Sequence, residues 1–265
     1  MVQPRDGSPL SLWTVVSVAV VAYAACDIVH EALGHGLACW LLPDVRALSL
    51  STIGLQTDES SRVVAAAGSL ANLVVGLVAV MWFRRGRGFD AGRYFAWLFA
   101  TLNLFNATGY LVFSGVLDFG DWAVVIGGIE PHWLWRVVLI GAGLALYTAV
   151  IRFAARALAG LVERGDLALR DIPRITLPAY VAGGLLLVAA SVLNPVGPEL
   201  ILASGASTGF GAMVGLTLVR RFVDSRSPGT VASAPGAGSS RGWIVCAAIV
   251  AVVFIAILGR GVALS

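Results

Sequence analysis

His30-Glu31-Ala32-Leu33-Gly34-His35, continued by Gly36-Leu37-Ala38, is the stretch on which the reading of this chain turns. It lies inside an apolar run from Leu12 to Leu42 that carries almost no other charge and is long enough to cross a bilayer. Ionisable side chains at membrane depth are costly unless they meet a partner, and by default they mark functional sites. The partner that suits two imidazoles and a carboxylate is a zinc ion, Zn2+. His30 and His35 are the candidate metal ligands. Glu31, beside the first of them, is the candidate catalytic base that takes the proton from a metal-bound water.

The spacing imposes a structural condition. Histidines that share a zinc on a regular helix stand at i and i+4. His30 and His35 stand at i and i+5, about 140° apart around a regular α-helix. One π-type turn returns them to the same side, and such turns concentrate at functional sites. Gly34 gives the motif its most adaptable backbone position. An arrangement that needs no bulge pairs Glu31 with His35 at i and i+4, with His30 elsewhere.

The rest of the chain explains why the motif sits in a membrane. The 265 residues are 58% hydrophobic and 12% charged, with a mean hydropathy of +0.87, far from a soluble composition. The expectation is an all-α polytopic membrane protein of about seven transmembrane helices, forming one membrane domain over 1–265. The spans run from Leu12 to Leu41, Val63 to Phe83, Tyr94 to Val116, Trp133 to Phe153, Ile175 to Leu193, Glu199 to Val219 and Trp243 to Leu258. Residues 12–122 carry the motifs, 133–258 add further helices, and the Ser/Gly/Pro-rich stretch 225–240 reads as a flexible loop. Between helices 1 and 2, alternation from Ala47 to Ile53, followed by Gly54, suggests short strands. A sheet edge is allowed at membrane depth only beside a cavity, where it can take up an extended peptide.

Ala24-Ala25-Cys26 loosely imitates a lipoprotein cleavage site, but the apolar run continues through it into the zinc motif, so a signal peptide is not expected. Cys26, Cys39 and Cys246 all sit in apolar runs and read as small buried hydrophobes. The formal charge is +3 and every basic residue is arginine, scattered through loops rather than forming a stripe, which argues against a nucleic-acid partner. Arginine crowds the loops after spans two, four and six: Arg84, Arg85, Arg87 and Arg93 first, then Arg156, Arg164, Arg170 and Arg174, then Arg220, Arg221, Arg226 and Arg241. The opposite loops hold chiefly Arg46 and Arg62, beside several carboxylates. The N-terminus is therefore expected in the cytoplasm and the C-terminus outside, with the zinc motif in the outer half of span one.

Two resemblances enter on these residues. His-Glu-Ala-Leu-Gly-His is similar to the six-residue zinc motif of dipeptidyl peptidase III, which has the same extra residue. Leu33-Gly34-His35-Gly36-Leu37-Ala38 resembles the continuation of the motif in site-2 proteases, the intramembrane zinc metallopeptidases. Ala67-Gly68-Ser69-Leu70-Ala71-Asn72-Leu73 resembles their Ala-Gly-Pro-x-x-Asn-Leu segment, with Ser69 in place of proline. Leu117-Asp118-Phe119-Gly120 resembles their Leu-Asp-Gly motif with one inserted residue, after a helix bearing Asn103 and Asn106. The resemblance covers the chain to Trp122. It implies a third metal ligand from Asp118, whereas the residues themselves favour Asp121, which opens a helical piece whose amides can hold a carboxylate.

The resemblance also implies a β element after the zinc helix, and a zinc metalloendopeptidase that cleaves a membrane-embedded protein or peptide within the lipid bilayer. Asn72 and Asn106 are the candidate substrate-binding residues; Asn72 has a ligand histidine as its other possible partner. In site-2 proteases the zinc lies nearer the cytosolic face, opposite to the side that the arginines give here. The expected location is a bacterial inner (plasma) membrane. A catalytically inactive relative that binds a membrane partner is the alternative function. A transporter would need ionisable residues along a whole path, and spans four, five and seven offer almost none. Glu199 and His132 fall on the same side as the motif; a helix cap and an interfacial histidine are their expected roles.

Overall fold

A computed structural model describes residues 10–194, 201–223 and 240–264. Helix dominates because the apolar runs leave no water to satisfy the backbone, which must then bond to itself. Six helices among the described residues are long and apolar enough to cross a membrane. They are α1 (Leu12–Leu41), α2 (Arg62–Arg85), α3 (Ala91–Leu117), α5 (His132–Glu163), α6 (Leu169–Val192, opened by a single 3-10 turn) and α7 (Arg241–Leu258). Between α3 and α5 lies the six-residue α4, Asp121–Ile126. The expected span from Glu199 to Val219 is described only from 201. It consists of a π-helical segment, Ile201–Gly211, and a short helix, Gly215–Leu218. Glu199 and most of the expected 225–240 loop lie outside the described residues.

Polar residues end the helices where the sequence changes character. Ser61 caps α2 by accepting from the Val64 amide, and Asp90 caps α3 by accepting from the Arg93 amide at 2.8 Å. Arg84 and Arg85 close α2, complementing the negative end of its dipole.

The strands expected after α1 form β1 (Ala47–Ser51) and β2 (Gly54–Thr57), an antiparallel hairpin. A third strand, β3 (Val262–Ala263), was not foreseen. It pairs with the other side of β1, giving the order β2-β1-β3 and leaving β2 as an edge.

The core lies where α1, α3, α5 and α6 meet, around Trp97, Tyr23, Tyr94 and Phe105. Tyr94 donates its hydroxyl proton to the Ile175 carbonyl at 2.7 Å, whereas the Tyr23 hydroxyl is buried without a partner.

Candidate metal centre

The turn that carries the motif is not regular α-helix. Val29–Gly36 is a π-helix within α1, as the i to i+5 spacing requires. It brings the two imidazoles together, ring centroids 4.7 Å apart and planes perpendicular. His30, Glu31, Gly34 and His35 are all buried, while Leu33 is exposed.

Two glycines make room for the rings. A Cβ on Gly34 would stand 2.5 Å from the Gly68 Cα. A Cβ on Gly68 would stand 2.6 Å from the His35 Cε1 and Nε2 and 2.7 Å from the His30 Cε1. Here α1 and α2 touch backbone to backbone, and the imidazoles occupy the space that a side chain at 68 would fill.

Each imidazole is fixed from behind. The Asn72 amide donates to the Asn103 Oδ1 at 2.8 Å and to the Cys26 carbonyl at 3.1 Å. Its own oxygen therefore faces the His30 Nδ1, 2.7 Å away, and must accept from it. The His35 Nδ1 lies 2.7 Å from the Val64 carbonyl, which can also only accept. Both histidines thus spend Nδ1 as donor and turn Nε2 to the same side, the outer-sphere pattern of metal-ligating histidines.

Asp121 meets them there. Its Oδ2 lies 3.0 Å from the His30 Nε2 and 3.4 Å from the His35 Nε2. Ligands at 2.0–2.1 Å around a tetrahedral ion stand about 3.3 Å apart, and these two distances bracket that value. One ligand atom from each of the three residues fits within 4.8 Å. With Nδ1 protonated, each Nε2 lone pair faces a carboxylate oxygen, so a cation is needed between them: protons on the imidazoles, or a metal. Burial pushes the Asp121 carboxyl upward, but with both Nε2 atoms protonated the hydrogen bonds and the positive charge of His30 and His35 together hold it well below the usual carboxylate range. Gly120, at φ +83°, and the Trp122 indole, which donates to the Ser69 hydroxyl at 3.2 Å, dock α4 against α2 and aim Asp121.

The geometry separates the candidates that the sequence offered. Asp118 does not join the cluster. It ends α3 in the left-handed region at φ 53° and turns outward, its carboxylate 2.9 Å from the His132 Nε2 and 3.6 Å from Arg136. The inserted Phe119 separates it from the carboxylate that does reach the rings. Asn72 is buried behind His30, and its hydrogen bonds leave it no group for a substrate. Asn106, 2% exposed, does not line the cavity beside the cluster either.

That cavity, about 240 Å³, opens beside the cluster and is lined by Glu31, His35, Asp121, Tyr110 and Ile53 to Leu55 of the hairpin. The Glu31 Oε2 is buried without a hydrogen-bond partner, and the Leu55 backbone amide interacts with the same carboxylate. Tyr110 lies over His30 with ring centroids 4.7 Å apart. In the sequence Gly68 stands out only as part of the small-residue segment 67–73, and neither Tyr110 nor Asp27, a second buried carboxylate one helical turn before Glu31, is singled out. A tyrosine four residues after Asn106 on the same helix was the one signal that could have located Tyr110. No family model matches the chain, and no curated protein or solved structure is significantly similar to it.

Proposed function

We propose that the chain is an intramembrane zinc-dependent endopeptidase, akin to site-2 proteases, that hydrolyses a peptide bond of a membrane-embedded substrate. The observation that carries this reading is the convergence of His30 and His35, from the π turn of α1, with Asp121, from the start of α4, both imidazoles oriented through Nδ1. Zinc held by these three supplies a polarising Lewis acid and an acidified water in its open position.

The chain's own residues do the rest. Asn72 and the Val64 carbonyl lock the ligand tautomers and raise the basicity of the imidazoles. Glu31 faces the cavity with one carboxylate oxygen unengaged, the position of a general base, and passes its proton to the leaving amine. The β2 edge borders the same cavity and offers backbone groups to an extended peptide. Walls of helix around the cavity limit bulk water, which strengthens each of these interactions. The arginine asymmetry supports a cytoplasmic N-terminus and an outer C-terminus, and the membrane we propose is a bacterial inner membrane.

The test is metal analysis and peptide cleavage on the purified, detergent-solubilised chain. About one zinc per chain and cleavage of a membrane-segment peptide are expected, with zinc and activity lost together in His35→Ala. A chain that binds zinc but cleaves no such peptide is the inactive binding relative instead. A chain that takes up no zinc removes the peptidase reading altogether.

A further inference from the structure

A second polar pocket lies at the far ends of α2 and α3 from the metal centre, where α5 also ends. It holds about 530 Å³ and is built from Arg84, Arg87, Arg93 and Arg164, with Asp166 and the glycines of the α2–α3 loop. Four guanidinium groups thus share one carboxylate. That carboxylate is already engaged, 3.2 Å from the Arg164 Nε and 3.9 Å from Arg93. The other acid nearby, Asp90, is spent on capping α3.

Arg93 is the centre of this pocket. Its side chain is 8% exposed. The Phe83 ring lies 4.9 Å from its guanidinium carbon, and the Gly88 carbonyl accepts one of its N–H groups. A Cβ on Gly86 would come within 3.1 Å of the Arg93 Cδ and 3.3 Å of its Nε, so the Gly86-Arg87-Gly88 loop lies tight against the side chain. Yet the Nε itself is buried with no hydrogen-bond partner. A charged donor left buried and unpaired is costly, and native structures rarely keep one without a use.

We propose that this pocket binds a phosphate group, presented either by an anionic phospholipid headgroup or by a soluble phosphate ester. A phosphate has the charge to neutralise the arginine excess and oxygens for the forked guanidinium donors that line the pocket. Basic pockets between membrane helices are known to take lipid headgroups in this way. Trp82, exposed two residues before Arg84 near the end of α2, is of the type that anchors helices at the headgroup level. The pocket shares no residue with the metal centre, so the proposal stands whatever the fate of the peptidase reading.

The experiment measures thermal unfolding of the full chain in nanodiscs. Phosphatidylcholine discs are titrated with inorganic phosphate, using sodium chloride at matched ionic strength as the control. A second series replaces part of the phosphatidylcholine with phosphatidylglycerol. Anything that binds the folded chain raises its midpoint. A rise with phosphatidylglycerol alone assigns the pocket to a lipid headgroup; a rise with inorganic phosphate in pure phosphatidylcholine assigns it to a soluble ester. In the Arg87→Gln/Arg164→Gln variant, both residues being exposed, the apparent affinity should fall by about tenfold for each lost arginine. Arg87→Gln alone gives the smaller step if the pair folds poorly. Arg241→Gln, an arginine outside the pocket, should keep the wild-type response. No rise in either series, or an equal rise in the Arg87 and Arg241 variants, overturns the proposal.

Discussion

Glu31 and Gly68 bear on the proposed metal centre in different ways, Glu31 on the proposed reaction and Gly68 only on the two imidazoles. Glu31→Gln keeps the shape and hydrogen-bonding reach of the side chain but removes the base. Zinc content is expected to stay at the wild-type level while peptide cleavage falls by about 10²–10⁴-fold, the contribution of a positioned general base. Loss of zinc from this variant would make Glu31 a ligand and sink that assignment. Gly68→Ala works from the other side. The added methyl falls 2.6 Å from the His35 ring atoms, so the imidazoles must move although alanine suits a helix better than glycine. Zinc affinity, measured by competition with a chromophoric chelator, should drop by at least about 10–100-fold, as outer-sphere changes typically cost. Circular dichroism should show unchanged helix; wild-type affinity would mean that the rings are not held against Gly68. The histidines and Glu31 were legible because ionisable groups stand out in an apolar run. Gly68 was not, because glycine is common in membrane helices and only the ring packing gives it meaning.

The π turn of α1 was also legible, since a five-residue spacing between two ligands admits few other solutions. It contains one residue more than an α-helix of the same rise, and Leu33 is the exposed candidate for that extra residue. Deleting Leu33 leaves the histidines at i and i+4, which a regular helix places on one face. The deletion variant is expected to retain zinc, whereas inserting alanine between Leu33 and Gly34 should abolish binding. Equal loss in both, by metal analysis, would mean that the π turn does more than absorb a residue. Elsewhere the sequence carried less. The hairpin showed through its alternation and Gly54, but β3 is two residues long and pairs with β1 from the other end of the chain. No local periodicity can announce such a strand. Asp118 and Asp121 stood three positions apart, the first implied by the resemblance and the second favoured by the residues themselves. Backbone geometry separates them: a left-handed helix end turns one toward His132, and Gly120 turns the other inward.

Across the whole molecule, the two polar sites mark opposite ends of one helix pair. α2 begins beside His35, through Val64, and ends at Arg84 and Arg85; α3 begins at the arginine pocket and ends next to α4 and Asp121. The hairpin and α4 therefore share one face of the bundle, and the arginine-lined loops share the other. Arginine resists translocation because its charge cannot be shed in transit, so the second face is expected in the cytoplasm. Labelling tests this in intact cells, in a background with Cys26, Cys39 and Cys246 replaced by serine. Glu59→Cys, in the exposed loop that leads into α2, should react with a membrane-impermeant maleimide. Arg85→Cys, exposed at the other end of the same helix, should react only after the cells are opened. The reverse pattern would put the metal centre on the cytosolic side, as in site-2 proteases, and would leave the arginine pocket facing outward. The phosphate proposal would then have to be met by outer-leaflet lipid or an external ester, so the two labels also decide which leaflet the nanodisc experiment represents.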